Sequence, residues 1–209
     1  MNSKVNIKVC GMTQLNNIEQ IKELQPAYLG FIFYDKSPRN ATLNILPGKG
    51  SVKRVGVFVN ASLGFIKEKI TTYKLDVIQL HGDETIAFCK SSKEQLPELE
   101  LWKVFGIGDD SFDFNPLQGY VPFVDAFLFD TKTQARGGSG KVFNWTVLKN
   151  YSFDTPIIIS GGIGLEQIDA LQTLLKSDLP IKAIDVNSRF ETATGVKDFK
   201  TLKTFFDAI

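Results

Sequence analysis

Asn6-Ile7-Lys8-Val9-Cys10-Gly11-Met12-Thr13 carries a short strand-like run into a glycine turn, and apolar residues at helical spacing follow at Leu15, Ile18, Ile21 and Leu24. A second strand-like run, Tyr28 to Tyr34, comes directly after. Strand, amphipathic helix, strand is the unit from which parallel α/β folds are built. Working outward, the unit recurs. Further β-rich runs lie at Arg54 to Val59, Val77 to His81, Leu101 to Phe105, Ala126 to Asp130, Ile157 to Ser160 and Ala183 to Val186. Helical spacing returns at Leu63, Ile66 and Ile70, at Leu165, Ile168, Leu171 and Leu174, and at Phe199, Leu202, Phe205 and Phe206. Eight alternations predict an α/β protein, a single (β/α)8 TIM barrel over residues 1–209. Each unit then averages about 26 residues, compact for this fold. Between Phe105 and Val124, Gly106, Gly108, Asn115-Pro116, Gly119 and Pro122 break helical periodicity, so a short or irregular fifth helix is expected. A doubly wound open sheet satisfies the same alternation.

Composition narrows the function classes. A formal charge of +1 leaves no global basic field to hold a nucleic-acid backbone, so any anion must be held locally. The apolar runs are far shorter than the ~18 residues of a membrane helix, and the N-terminus lacks a signal-peptide pattern, so no membrane and a cytoplasmic location are expected. Cys10 and Cys89 are too few for a disulfide framework and are read as reduced. Cys89, in a helix-like stretch, reads as a small core residue.

Side chains along a barrel strand alternate between interior and helix layer. With Ile7 and Val9 facing the helices, Asn6, Lys8 and Cys10 point inward, and the same parity sends Ala126, Leu128 and Asp130 inward on strand six. In a barrel every strand's C-terminal end opens on the catalytic mouth. Cys10 there is compatible with a nucleophile, a base or an inert core thiol. Asp130 is an acid or a turn-capping carboxylate.

Several strand-end segments fall on that mouth: Lys8-Val9-Cys10-Gly11, then Phe33-Tyr34 with Ser37-Pro38-Arg39, Val55-Gly56-Val57-Phe58-Val59-Asn60, and Gln79-Leu80-His81-Gly82-Asp83-Glu84. Asp130-Thr131, Gly137-Gly138-Ser139-Gly140 with Phe143 and Trp145, Ser160-Gly161-Gly162 and Asp185-Val186-Asn187-Ser188 complete the set. In this order, from Lys8 to Asp198, the chain strongly resembles the phosphoribosylanthranilate isomerases of tryptophan biosynthesis. The resemblance implies an Amadori rearrangement of a phosphosugar-anthranilate aldosylamine to a 1-deoxyribulose 5-phosphate ketone, with no metal and no cofactor. It implies Cys10 as general base and Asp130 as general acid. The thiol needs a nearby cation to ionise near neutrality, and Lys8, one inward layer below, is placed to supply it; an interior lysine paired with a carboxylate for stability is the other reading. Asp130 needs burial or a neighbouring carboxylate to keep its proton, and Asp185 is the expected neighbour.

The same resemblance assigns Arg39 to the anthranilate carboxylate, for which a guanidinium fork is suited. Gly161 and Gly162, with Asp185, Asn187, Ser188 and Arg189, are expected to bind the substrate around its phosphate, between the last two strand-end loops. Arg189 stands where the family usually has glycine in Asp-Val-Ser-Ser-Gly, either meeting the phosphate directly or lying on the surface. The loop at 131–141 is read as a lid or a plain connector, and His81 with Gln79 as packing or orienting groups. The histidine-pathway isomerase, which carries an aspartate where Cys10 stands, an indole-glycerol-phosphate synthase and a catalytically silent phosphate-binding barrel are the competing readings. The family includes monomers and homodimers, and either is open.

Overall fold

The computed structural model describes residues 5–44, 46–108, 111–131 and 143–209. Eight parallel strands, β1 (Asn6–Val9), β2 (Tyr28–Phe33), β3 (Lys53–Phe58), β4 (Val77–Leu80), β5 (Glu100–Ile107), β6 (Ala126–Thr131), β7 (Ile157–Ile159) and β8 (Ile181–Val186), pair in sequence order. The sheet closes when β8 pairs back onto β1, with Lys8 opposite Asp185. Closure removes the open-sheet alternative. α1 (Leu15–Lys22), α2 (Leu63–Tyr73), α3 (Ile86–Gln95), α4 (Ile168–Leu174) and α5 (Phe199–Ala208) follow β1, β3, β4, β7 and β8.

Local chemistry starts and stops these helices. Ser62 and Thr85 accept the backbone N–H groups of Phe65 and Phe88, and Asp198 accepts those of Lys200 and Thr201. Lys74 ends α2 in the left-handed region, at φ 51°.

The expected irregular fifth helix is two short 3-10 turns, Asn115–Gly119 and Val121–Phe123, each with a proline at its start. The irregularity extends further than the sequence reading expected. Among the described residues the β2–β3 connection carries no helix, and the β6–β7 connection carries only a 3-10 turn, Trp145–Asn150. Aromatic rings do the covering instead. Phe112 and Phe114 stack edge-on against Phe129 at centroid distances of 6.0 and 5.7 Å, and Tyr151 closes on Phe114 at 5.7 Å. Such rings each bury as much apolar surface as a helical turn presents, so the outer face of β6 stays dry without a regular helix.

The strand parity produces two cores. Val55, Val57, Val77, Trp102, Val104, Ala126, Leu128, Ile158 and Ala183 fill the barrel interior, with Cys10 at its upper end. Ile7, Val9, Phe31, Phe127, Phe129, Ile157 and Ile159 belong to the layer beneath the helices. The inward assignments of Cys10, Leu128 and Ala126 therefore hold.

The barrel floor is closed by Tyr28 and Trp102, edge to face at 5.0 Å, above Glu100. Glu100 accepts from Lys53 and Lys182, both at 2.7 Å, and from the Trp102 indole at 3.1 Å. Burial alone would push this carboxyl up, but the two lysines and the indole together pull it from 4.5 to about 2. A depressed folded-state pKa stabilises above the unfolded value and the benefit is lost as pH falls toward the folded value. Glu100→Gln is therefore expected to cost ~1–2 kcal/mol at neutral pH, discounted for partial solvent screening, and much less near pH 2. Denaturant titrations of both proteins at the two pH values check this; an equal loss at both would show that the carboxylate's charge is not responsible.

Candidate active site

The C-terminal ends of the strands enclose a cleft lined by Cys10, Arg39, Asp130, Gly161, Gly162, Asp185, Asn187, Ser188 and Arg189. All nine residues singled out from the sequence thus meet at one site. Gln79, His81 and Ser160 line it as well.

Cys10 follows β1 and its backbone N–H donates to Val186 O at 2.9 Å, tying the thiol's residue to β8. Neighbouring β2 makes room for the sulfur with Gly30, where a Cβ would lie 2.7 Å from Sγ. Burial pushes the Cys10 thiol above its ordinary value, against the pull of Lys8 and, more weakly, Lys197. Lys8 acts in the direction expected of it, yet its charge is largely spent elsewhere. Its fully buried Nζ donates to Asp185 Oδ2 at 2.9 Å, and, against the downward pull of burial, Asp185 holds the ammonium above its usual range. Burial raises Asp185 in turn, with Lys8 pulling it back. An isolated buried ammonium is far costlier than a paired one, so each partner supports the other's charge. The pairing of Lys8 with a buried carboxylate is thus present, and the same ammonium pulls on the thiol in the direction that favours its thiolate.

Asp130 sits on β6, opposite Gly106 of β5. Its Oδ1 accepts the Thr131 backbone N–H at 2.8 Å, and His81 Nε2 lies 3.4 Å from Oδ2. His81 Nδ1 is 3.2 Å from Gln79 Nε2. Gln79 and His81, read as packing or orienting groups, form a chain of contacts from β4 to the carboxylate. Below it a buried Glu84 carboxylate accepts from the backbone of Asn60 and Gly82 and from Lys103 at 3.1 Å, which pins the turn that follows His81. Gly161, at φ +90°, passes so close to Asp130 that a Cβ would meet Oδ1 at 2.7 Å, a conformation and clearance that only glycine allows.

Beside it Gly162, at φ +66°, continues the loop after β7. Across the cleft Asn187 leads from β8 into a 3-10 turn, Ser188–Phe190. Arg189 lies on the rim, its Nη1 3.4 Å from Glu166 with both side chains about half exposed. Most of the 131–141 loop lies outside the described residues; Thr131 alone is described, its hydroxyl accepting the Phe143 N–H at 3.1 Å.

Arg39 holds the feature that sequence reading missed. Its Nε and Nη2 grip Glu191 at 2.8 and 2.7 Å, and Glu191 in turn accepts from Lys197 at 2.6 Å. Both partners come from a hairpin after β8, β9 (Glu191–Ala193) and β10 (Val196–Lys197). The available signal was the Glu191-Thr-Ala-Thr-Gly195-Val-Lys197 stretch, whose β-branched residues flank a turn glycine. Cys89, buried in α3 and pushed up to about 11 chiefly by burial, is the core residue expected.

Acid–base side chains at the C-terminal mouth of a closed eight-stranded barrel mark the class of (β/α)8 enzymes. Within that class, the family described as N-(5'phosphoribosyl)anthranilate (PRA) isomerase matches residues 7–208, and the chain belongs to that family of aldose-ketose isomerases. It is 39% identical to the N-(5'-phosphoribosyl)anthranilate isomerase of Parabacteroides distasonis, over 97% of this chain and 92% of that one. It is 33% identical to that of Caldanaerobacter subterraneus, covering 98% of each. The phosphoribosyl anthranilate isomerase structure from Thermotoga maritima superposes with a TM-score of 0.82 at 30% identity, covering 98% of both chains. A phosphoribosyl anthranilate isomerase in complex with reduced 1-(o-carboxyphenylamino)-1-deoxyribulose 5-phosphate superposes with a TM-score of 0.78 at 27% identity, again over 98% of both. Membership disposes of the histidine-pathway and ring-closing synthase readings. Among the described residues no helix is long and apolar enough to cross a membrane.

Proposed function

We propose that this chain converts N-(5'-phosphoribosyl)anthranilate to 1-(2-carboxyphenylamino)-1-deoxyribulose 5-phosphate in tryptophan biosynthesis, with Asp130 as general acid and Cys10 as general base. The observation that carries this reading is that the one thiol and the one strand-six carboxylate of the mouth line the same cleft, from β1 and β6. Asp130 gives its proton to the furanose ring oxygen as the C1–O bond breaks and the anthranilate nitrogen lone pair forms the C1=N Schiff base. Cys10, as thiolate, then takes the proton from C2, and the C2–H electrons move to make the C1–C2 double bond of an enolamine. Tautomerisation places a proton on C1 and leaves the ketone at C2. No bond to sulfur forms.

The remaining lining divides the substrate's polar groups. Arg39 faces the anthranilate carboxylate, and the backbone of Gly161 and Gly162 with Asn187 and Ser188 faces the phosphate. Asp185 Oδ1 and Gln79 Oε1 are buried with no hydrogen-bond partner among the described residues. They are acceptors suited to the hydroxyls of the opened ribose, since an unfilled buried acceptor costs ~1–3 kcal/mol that a bound hydroxyl recovers. Mixing purified protein with phosphoribosylanthranilate and following the loss of its fluorescence tests the assignment. Absence of turnover in well-folded protein would overturn it.

Lys8→Met removes a cation that favours the Cys10 thiolate and leaves Asp185 to oppose it. The limb of the rate-pH profile on which the base ionises is expected to move to higher pH. Stability is expected to fall by ~3–5 kcal/mol, because one half of a buried pair is left alone. A folded variant whose profile is unshifted would show that Lys8 serves stability only.

A further inference from the structure

Arg39 presents a problem of charge. A guanidinium already gripped along its Nε–Nη2 edge by Glu191 forms a neutral pair, and a neutral pair has no Coulombic reason to attract a second carboxylate. Glu191, however, is not shared with Arg39 alone. Its Oε1 also accepts from Lys197 Nζ at 2.6 Å, and the Lys197 and Glu191 side chains are 0% and 5% exposed. Burial pulls the Lys197 ammonium down and Glu191, in contact with it, holds it up; with that ammonium kept by the contact, two cations and one carboxylate leave the trio at +1.

The trio is built into the mouth. Lys197 Nζ also donates to Asn187 Oδ1 at 2.6 Å, and Asn187 Oδ1 and Arg39 Cδ close over Gly11, where an added Cβ would meet them at 2.7 and 2.9 Å. The hairpin that carries Lys197 is clamped to the rest of the barrel. Asn17 of α1 bonds both the N–H and the carbonyl of Lys197, at 2.7 and 2.9 Å, and the Thr13 hydroxyl donates to Gly195 O at 2.8 Å. With Nε and one Nη2 hydrogen committed to Glu191, the outer edge of the guanidinium keeps its remaining donors for a ligand.

We propose that Lys197 is a positioning residue for the substrate's carboxylate: Glu191 fixes the orientation of Arg39, and Lys197 cancels the charge of Glu191, so that a net positive guanidinium edge meets the anthranilate ring. The inference rests on the reading of Arg39 as the carboxylate contact. It explains why a binding arginine sits beside a buried glutamate that would otherwise compete with the ligand.

The test is a cycle of kcat/KM values for phosphoribosylanthranilate against the phosphoribosylaniline analogue, which lacks the carboxylate. Arg39→Met is expected to abolish the preference for the carboxylated substrate. Lys197→Met, which leaves the neutral Arg39–Glu191 pair, is expected to lower the preference roughly 10-fold or more, the range of one charge-assisted interaction. The double variant Glu191→Gln/Lys197→Met returns the net charge to +1 and removes both buried ions, so it is expected to regain at least ~3-fold of the lost preference. A merely structural hairpin predicts the double variant to be the worse one. If Lys197→Met does not fold, the double variant alone decides, and a folded double variant with no preference overturns the proposal. Full preference in Lys197→Met, with loss in Arg39→Met, also overturns it while leaving Arg39 in place. Full preference in Arg39→Met would instead remove the carboxylate reading itself.

Discussion

Cys10→Ala is expected to lower kcat by roughly 10²- to 10⁴-fold, about 2.7–5.5 kcal/mol of transition-state stabilisation, while the barrel stays folded. The substitution deletes one sulfur at the upper end of the barrel interior, beside Gly30, where the backbone is already held by the Val186 hydrogen bond. The structural cost is therefore that of a small void, on the order of 1 kcal/mol. What is lost, on the proposed mechanism, is the group that takes the C2 proton. The burial that pushes the thiol up makes its thiolate scarce in the free protein, so the thiolate that does form is a strong base in a dry setting. A C2-deuterated substrate separates this role from a packing role: with Cys10 gone, C2–H cleavage limits turnover and the isotope effect should rise above that of the parent. Near-full activity in Cys10→Ala would end the base assignment.

Asp130→Asn is expected to lower kcat by a similar factor, roughly 10²- to 10⁴-fold, with the opposite isotope signature. An amide has no proton of sufficient acidity for the ring oxygen, so ring opening becomes limiting and the deuterium effect at C2 shrinks. The site can absorb the amide without rearranging. The introduced side chain would keep the Thr131 N–H on its oxygen and present its NH₂ to His81 Nε2. His81 would then carry its proton on Nδ1, and Gln79, whose Oε1 has no partner among the described residues, can turn to accept it. Loss of rate with an unchanged melting transition is the combined expectation. An Asp130→Asn protein that turns over at the parental rate would mean that the ring oxygen takes its proton elsewhere.

The departures from sequence reading have definite causes. The irregular fifth connection was legible because Pro116, Pro122 and the glycines act locally on the backbone. The connection after β2, which carries no helix among the described residues, holds marks of the same kind in Pro38, Pro47-Gly48 and Gly50, and these were passed over. The rings that cover β6 in place of a regular helix come from separate stretches, with Phe112 and Tyr151 on opposite sides of the strand in sequence. Asp185 was placed at the mouth correctly, but its bonded partner is Lys8, with Asp130 only a weaker influence on it. Glu191 was overlooked altogether, since the turn glycine that marks its hairpin says nothing of Arg39, 152 residues away.

By itself the sequence determined the repeating unit, the inward faces of the first and sixth strands and the strand ends on which chemistry can sit, because turn residues and two-residue alternation are local properties of the chain. It also carried the family motifs that brought Cys10, Asp130, Arg39 and the glycine loop to notice. Only the tertiary structure decided which charges meet. Lys8 and Asp185 are separated by 177 residues, and Arg39 and Glu191 by 152, yet each pair lies within hydrogen-bonding distance. Barrel closure makes those contacts by bringing β8 against β1, and the energy of a charge depends on its nearest partner in space rather than its neighbours in sequence.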